Sequence, residues 1–120
     1  MARKYDLEDR LIDFSSKVMN LVETLPSTKS SSYIAKQIIR CGVAPSLLYG
    51  EAQSAESKDD FVHKMKIALK ELKETRISLK LILRNGMAEN IDGLCRENEE
   101  LIAIFCKSIE TAKRNNQIEQ

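Results

Sequence analysis

The residues with the clearest chemical potential are cations set along one segment. Lys66, Lys70, Lys73, Lys80 and Arg84 fall within about 80° of arc over five turns if the segment is an α-helix. Cations stacked at helical spacing repel one another mildly. A ladder of them neutralises nucleic-acid phosphates, with an affinity that falls steeply as salt rises. No aromatic residue is interleaved, so the ladder itself would read backbone and shape rather than stack on bases. The plain alternative is a solvated helix face. Ile77 is the one apolar residue inside the arc.

Other chemistry is absent from the pattern. The single histidine, His63, has no Cys or His partner at metal-ligand spacing and reads as a surface or interface residue. The acid pairs Asp59, Asp60 and Glu99, Glu100 are adjacent, so their side chains diverge on a helix. There is no Glu-x-x-His pair of the di-iron bundle type, no Gly-rich phosphate loop and no Ser, His and acid arrangement. Cys41, Cys95 and Cys106 cannot all pair within one chain. Cys95 and Cys106 share a helix face about three turns apart, too far to bond. All three are expected to be buried, reduced thiols. Tyr49 and Glu51 are expected to face inward as a buried polar contact. The sequence therefore predicts no enzyme, no cofactor and no metal.

The elements that must carry the cations are helical. Gly is 4 and Pro 2 in 120 residues, hydrophobic residues are 42% and charged residues 31%, a balance that favours one folded helical domain over sheets or disorder. Leu7, Leu11, Phe14, Val18, Leu21 and Leu25 step by three and four, which predicts a first helix over 6–25, stopped by Pro26. After a Ser/Thr linker, Ile34, Ile38, Cys41 and Val43 begin a second apolar pattern. Gly42 and Pro45 interrupt it, and Leu48, Ala52 and Ala55 resume it. One helix over 30–56, kinked near Gly42 and Pro45, is the preferred reading, with two shorter helices as the alternative. Ser57 followed by Lys-Asp-Asp is a helix-start signal. The third helix is expected over 58–84, with Phe61, Met65, Ala68, Leu72, Leu79 and Leu83 as its core seam and Asn85-Gly86 as its stop. A fourth over 89–115 carries Leu94, Leu101, Phe105, Ser108 and Ala112, and the last five or so residues are expected to be disordered. Short connections between four helices predict an all-α, antiparallel up-down four-helix bundle spanning 1–120.

Net charge is +1, so no global field demands an acidic partner. Its distribution is uneven: residues 58–86 hold 8 Lys/Arg against 4 Asp/Glu, and residues 87–120 hold 4 against 7. No apolar run reaches the roughly 18 residues of a membrane span. The charged N-terminus lacks a signal-peptide core, so a soluble, cytoplasmic protein without a membrane partner is expected. Several apolar residues fall off the core seams: Val62, Ile67, Ile77 and Leu81 on the third helix, Ile12, Met19 and Val22 on the first, and Ile104 on the fourth. So many on a small bundle predict a subunit interface, with the third-helix set at its centre.

The segments YDLEDRLIDF (5–14), IAKQIIRCG (34–42), YGEAQSAESKDDF (49–61) and KMKIALKELKET (64–75) resemble a bacterial four-helix-bundle family, the 23S rRNA intervening-sequence proteins. Its pattern of L-x-x-R-x-x-x-F, I-x-x-Q-x-x-R-S-G, E-A-x-x-A-x-S-x-x-D-F and K-x-x-I-A-x-K-E-x-x-E-T is carried by Leu7, Arg10 and Phe14, by Ile34, Gln37, Arg40 and Gly42, by Glu51, Ala52, Ala55, Ser57, Asp60 and Phe61, and by Lys64, Ile67, Ala68, Lys70, Glu71, Glu74 and Thr75. Cys41 stands where the pattern has Ser, and V-A-P-S-L-L (43–48) replaces a small-residue stretch. The resemblance implies a homopentamer with a central channel, related to the basic accessory proteins of diversity-generating retroelements, which bind a reverse transcriptase and nucleic acid. Two functions then compete. One is a homo-oligomeric adaptor that contacts RNA or DNA through Lys66, Lys70, Lys73, Lys80 and Arg84. The other is a protein–protein module without nucleic acid, using Glu97, Glu99, Glu100 and Glu110 or the rim of the assembly.

Overall fold

The computed structural model describes residues 6–119, with side chains to residue 115. Four helices follow in order: α1 (Leu7–Thr24), α2 (Lys29–Gln53), α3 (Lys58–Arg84) and α4 (Asp92–Glu119). Among the described residues there is no strand, and no helix is long and apolar enough to cross a membrane. Helices adjacent in the chain pack side by side, with α2 against α3 the broadest interface. α1 and α4 meet along a narrow seam that closes the bundle.

The starts of α1, α2 and α3 are each fixed by a side chain that satisfies an orphan backbone donor. Asp6 accepts from the Asp9 amide at 3.0 Å, and Asp9 reaches back to the Asp6 amide, forming a capping box. Thr28 accepts from the Ser31 amide at 3.1 Å, and Ser57 accepts from the Asp60 amide at 3.0 Å. The end of α3 is a Schellman motif: Gly86 at φ +64° donates its amide to the Leu83 carbonyl, and the Met87 amide donates to the Ile82 carbonyl.

α2 is one helix through Gly42 and Pro45. Proline removes a backbone donor inside a helix, and hydroxyls bind carbonyls of the same stretch. Ser15 on α1 donates to the Gly42 carbonyl at 3.2 Å, and Ser46 donates to the Val43 carbonyl at 2.8 Å. The helix ends at Gln53 rather than at 56, because residues 54 and 55 turn back on Glu51 and Ala52 before Ser57 caps α3. α4 starts at Asp92 rather than 89. Asn90 takes the left-handed conformation at φ 59°, which Asn tolerates and a helix does not. The helix then runs on to Glu119, past the expected fraying point near 115.

The α1 seam is as expected: Leu11, Phe14, Val18 and Leu21 are buried, and Leu7 and Leu25 pack against them. Phe14 and Phe105 are the largest fully buried side chains, and Tyr49 meets Phe105 edge-on at 6.2 Å between ring centroids. On α3 the expected Leu83 is 41% exposed, and Ile82 is fully buried in its place. The buried seam steps alternately by three and four from Met65 through Ala68, Leu72, Thr75 and Leu79, and the step of three to Ile82 continues that 3.5-residue seam.

Two contacts set the placement of α1. A Cβ on Gly42 would lie 2.8 Å from Val18 Cγ1, so α1 and α2 approach as closely as they do because position 42 has no side chain. At the α4 seam, Arg10 forks onto Glu97 through Nε and Nη2, and Nη2 also reaches Glu100 at 3.1 Å. The guanidinium holds the Glu97 carboxyl below the usual carboxylate range.

Gly42→Ala is expected to cost about 1–3 kcal/mol in denaturant unfolding. Adding Val18→Ala, which removes the atoms in the way, should bring a loss smaller than the sum of the two single losses. Arg10→Ala should lower stability at neutral pH. Because the folded-state pKa of Glu97 is depressed, that difference from the parent is full above the ordinary carboxylate range and fades as pH falls through the lowered Glu97 value. Urea midpoints of the two proteins across a pH series measure it.

Candidate nucleic-acid interface on the third helix

α3 faces three ways. Its inner face carries Met65, Ala68, Leu72, Thr75, Leu79 and Ile82, all buried. On the α2 flank, Glu71 and Glu74 pair with Arg40 at 2.8 and 2.7 Å, and Lys64 pairs with Glu51 at 3.5 Å. On the α4 flank, Arg76 lies 3.6 Å from Glu99. The outward face holds Lys66, Lys70, Lys73, Lys80 and Arg84, all exposed. No ion pair joins any of the five to a carboxylate among the described residues. Glu71 and Glu74, which sequence spacing puts near these lysines, pair with Arg40 instead, and Glu74 borders the lysine hollow without an ion pair to it. Lys66, Lys70, Lys73 and Ile77 line one shallow hollow on this face.

The stripe has a member that spacing along α3 could not reveal. Lys113 of α4 comes alongside Lys66, and hydrogen bonding and repulsion from that second ammonium hold the Lys113 pKa below the usual lysine range. His63, exposed, lies in the same cleft with Asp59. A like-charge contact of this kind is relieved by an anion.

The apolar residues expected at a subunit interface do not stay together. Val62 is buried at 8% exposure and belongs to the monomer's own core. The C-terminal part of α4, carrying Lys113, lies beside it, which a wheel drawn for α3 alone cannot show. Ile67 is half-buried. Ile77 is 54% exposed but sits within the basic face. Leu81, 42% exposed, lies on the α2 edge beside Tyr33, which is 64% exposed. Ile12, Met19 and Leu47 are also exposed. Val22 and Ile104 are half-buried.

The acidic surface of the competing reading is engaged inside the chain. Glu97 and Glu100 bind Arg10, Glu99 faces Arg76, and Glu110 pairs with Arg114 at 3.5 Å. Tyr49 packs inward as expected, whereas Glu51 is exposed and pairs with Lys64. Of the three thiols only Cys41 is buried; Cys95 is half-buried and Cys106 exposed, because α4 turns its Cys106 side to solvent. Burial pushes the Cys41 and Cys95 thiols up, away from thiolate formation. No metal-binding cluster occurs among the described residues.

A groove of about 490 Å3 runs between α3 and α4 next to the stripe. Its lining includes Leu79, Leu83, Cys95 and Asn98, with the cations Arg76, Lys80 and Arg96 and the carboxylates Glu99 and Glu100 completing it. Sequence reading passed over Asn98 and Arg96. The only available signal was a polar residue on the inward side of α4, between Leu94 and Leu101.

No protein of curated function matches the chain. A crystal structure of a protein of unknown function from the S23 ribosomal protein family of Bacteroides thetaiotaomicron is similar, with a TM-score of 0.81 at 27% identity over 87% of this chain and 98% of that one. The profile of the 23S rRNA-intervening sequence proteins matches residues 3–107, the cation-bearing α3 included, and the chain belongs to that family.

Proposed function

We propose that the protein is a non-enzymatic, homo-oligomeric adaptor that binds nucleic acid through the outward face of α3. The observation that carries this reading is the set Lys66, Lys70, Lys73, Lys80 and Arg84, exposed and without ion pairs among the described residues, on a helix whose Glu71 and Glu74 are paired with Arg40 of α2. Lys113 extends the set across to α4. Such a surface binds polyanions by counterion release and holds the phosphate backbone rather than a sequence. The family's name ties it to sequences within 23S rRNA, which makes a structured RNA the first ligand to try.

Self-association supplies the rest of the reading. Leu81 and Tyr33 form an exposed apolar edge between α2 and α3, on the flank of the stripe rather than across it. A closed ring, a pentamer by the resemblance in the sequence, would bury such edges and repeat the cation stripe around its rim. Within this reading Leu81 is a contact residue, and Ile77 belongs to the nucleic-acid face.

Binding of a structured RNA followed by fluorescence anisotropy is expected to weaken steeply between about 50 and 200 mM salt. Lys70→Glu together with Lys73→Glu should reduce affinity at least about tenfold and flatten the salt slope. Unchanged affinity in that variant would exclude the stripe. Light scattering should give a solution mass several times 13.6 kDa, reduced by Tyr33→Asp with Leu81→Asp. A parent protein that runs as a monomer contradicts the assembly.

A further inference from the structure

The groove between α3 and α4 has a composition that the stripe alone does not call for. Its interior is apolar, from Leu79 and Cys95, with the exposed Leu83 at its mouth, and its volume of about 490 Å3 lies within the range of small-ligand sites. Asn98 is part of the same lining and is 1% exposed. Its Nδ2 donates to the Leu72 carbonyl at 3.1 Å, which fixes the amide orientation. Its Oδ1 is buried without a hydrogen-bond partner. A buried acceptor left without a donor is costly and calls for an explanation. A ligand carrying an N–H supplies one.

The edges state what kind of ligand. Glu99 is held by Arg76 and Glu100 by Arg10, while Lys80 and Arg96 have no ion-pair partner among the described residues. Lys80 also belongs to the outward stripe, so the groove opens where a bound phosphate backbone would pass. Guanidinium groups stand on both helices, Arg76 on α3 and Arg96 on α4. Unpaired bases stack on guanidinium planes and present N–H donors on their pairing edges.

We propose that this groove takes an unpaired base of a strand whose phosphates lie on the stripe, with Asn98 as the hydrogen-bond acceptor at its floor and Arg76 and Arg96 flanking the base. The inference rests on the stripe being the phosphate-binding face, and it changes the ligand class from any polyanion to a strand with a bulged or single-stranded nucleotide. A base already unpaired enters at least cost. Apolar occupants such as an indole side chain compete in principle, but the unpaired cations beside the groove complement a polyanion.

The test compares an RNA duplex carrying one bulged 2-aminopurine with the same duplex fully paired, at fixed salt, using the full-length protein. The parent is expected to bind the bulged duplex about tenfold more tightly and to change the 2-aminopurine fluorescence on binding. Leu83→Trp, at the exposed mouth, should abolish the preference while leaving affinity for the paired duplex unchanged. Asn98→Leu, with its fold verified by circular dichroism, should do the same. Equal affinity for the two duplexes, or a preference that survives both substitutions, overturns the groove and leaves the stripe standing. Saturable binding of N-acetyltryptophanamide without a bulge preference assigns the groove to a protein side chain and overturns the proposal. Failure to bind either duplex overturns the stripe and the groove together.

Discussion

The two-sided burial of α3 is the constraint on which the rest of the molecule depends. A helix packed along one face leaves most of its circumference to solvent, where acids and bases pair with each other. α3 lies against α2 on one side and α4 on the other, and each neighbour takes ion-pair partners from it. Arg40 draws Glu71 and Glu74 toward α2, and Glu99 draws Arg76 toward α4. What is left pointing outward from the middle of the helix to its end is mostly cationic, with Asp59 near the start and Glu74 at the border of the lysine hollow. The positive stripe is thus a result of packing as much as of composition, and it arises in a chain whose net charge is only +1.

The remaining helices sustain that arrangement. The missing side chain at Gly42 lets α1 close onto α2, and the hydroxyls of Ser15 and Ser46 bind carbonyls beside the proline that interrupts α2. From there α1 presents Arg10 to α4, where a partly buried fork with Glu97 and Glu100 closes the narrow seam. Bidentate pairing of this kind is stronger and more directional than an exposed ion pair. It also removes acidity from the surface. Four carboxylates of the last third of the sequence, Glu97, Glu99, Glu100 and Glu110, are held by Arg10, Arg76 and Arg114, which lessens the acidic field beside α3.

Much of this was legible from residue types, and the exceptions share one cause. The α1 seam, the Ser57 start and the Asn85-Gly86 stop were readable because each is decided within a few residues of its own helix. Leu83 lies off the core because the seam against two neighbouring helices keeps an alternating three-and-four step, which reaches Ile82 after Leu79, and a wheel for one helix does not say which step comes next. Val62 was placed outside because a wheel for α3 knows nothing of how far α4 extends. Lys113 and Asn98 were invisible for the same reason: their meaning comes from Lys66 and from the Leu72 carbonyl on the neighbouring helix. The start of α4 moved to Asp92 because Asn90 took a left-handed conformation that no periodicity announces. Local capping and periodicity are carried by the sequence, whereas anything that depends on which helix lies alongside is settled by tertiary packing.

The separation of charge from apolar exposure reconciles self-association with nucleic-acid binding. If the exposed apolar residues lay along the centre of the cation stripe, an assembly that buried them would bury the lysines too, at a desolvation cost that unpaired ammonium groups do not recover. Ile77 alone is in that position, and a single exposed apolar residue needs no partner. Leu81 and Tyr33 sit on the flank toward α2, so an interface built there leaves the stripe facing solvent. Each copy then contributes five or six cations, too few for tight binding at physiological salt when one copy acts alone. In the proposed ring, repeating them would turn the second and later contacts into intramolecular events and raise overall affinity without any new chemistry at the surface. Under the proposed function, a nearly neutral chain would hold a polyanion through assembly and geometry rather than through its net charge.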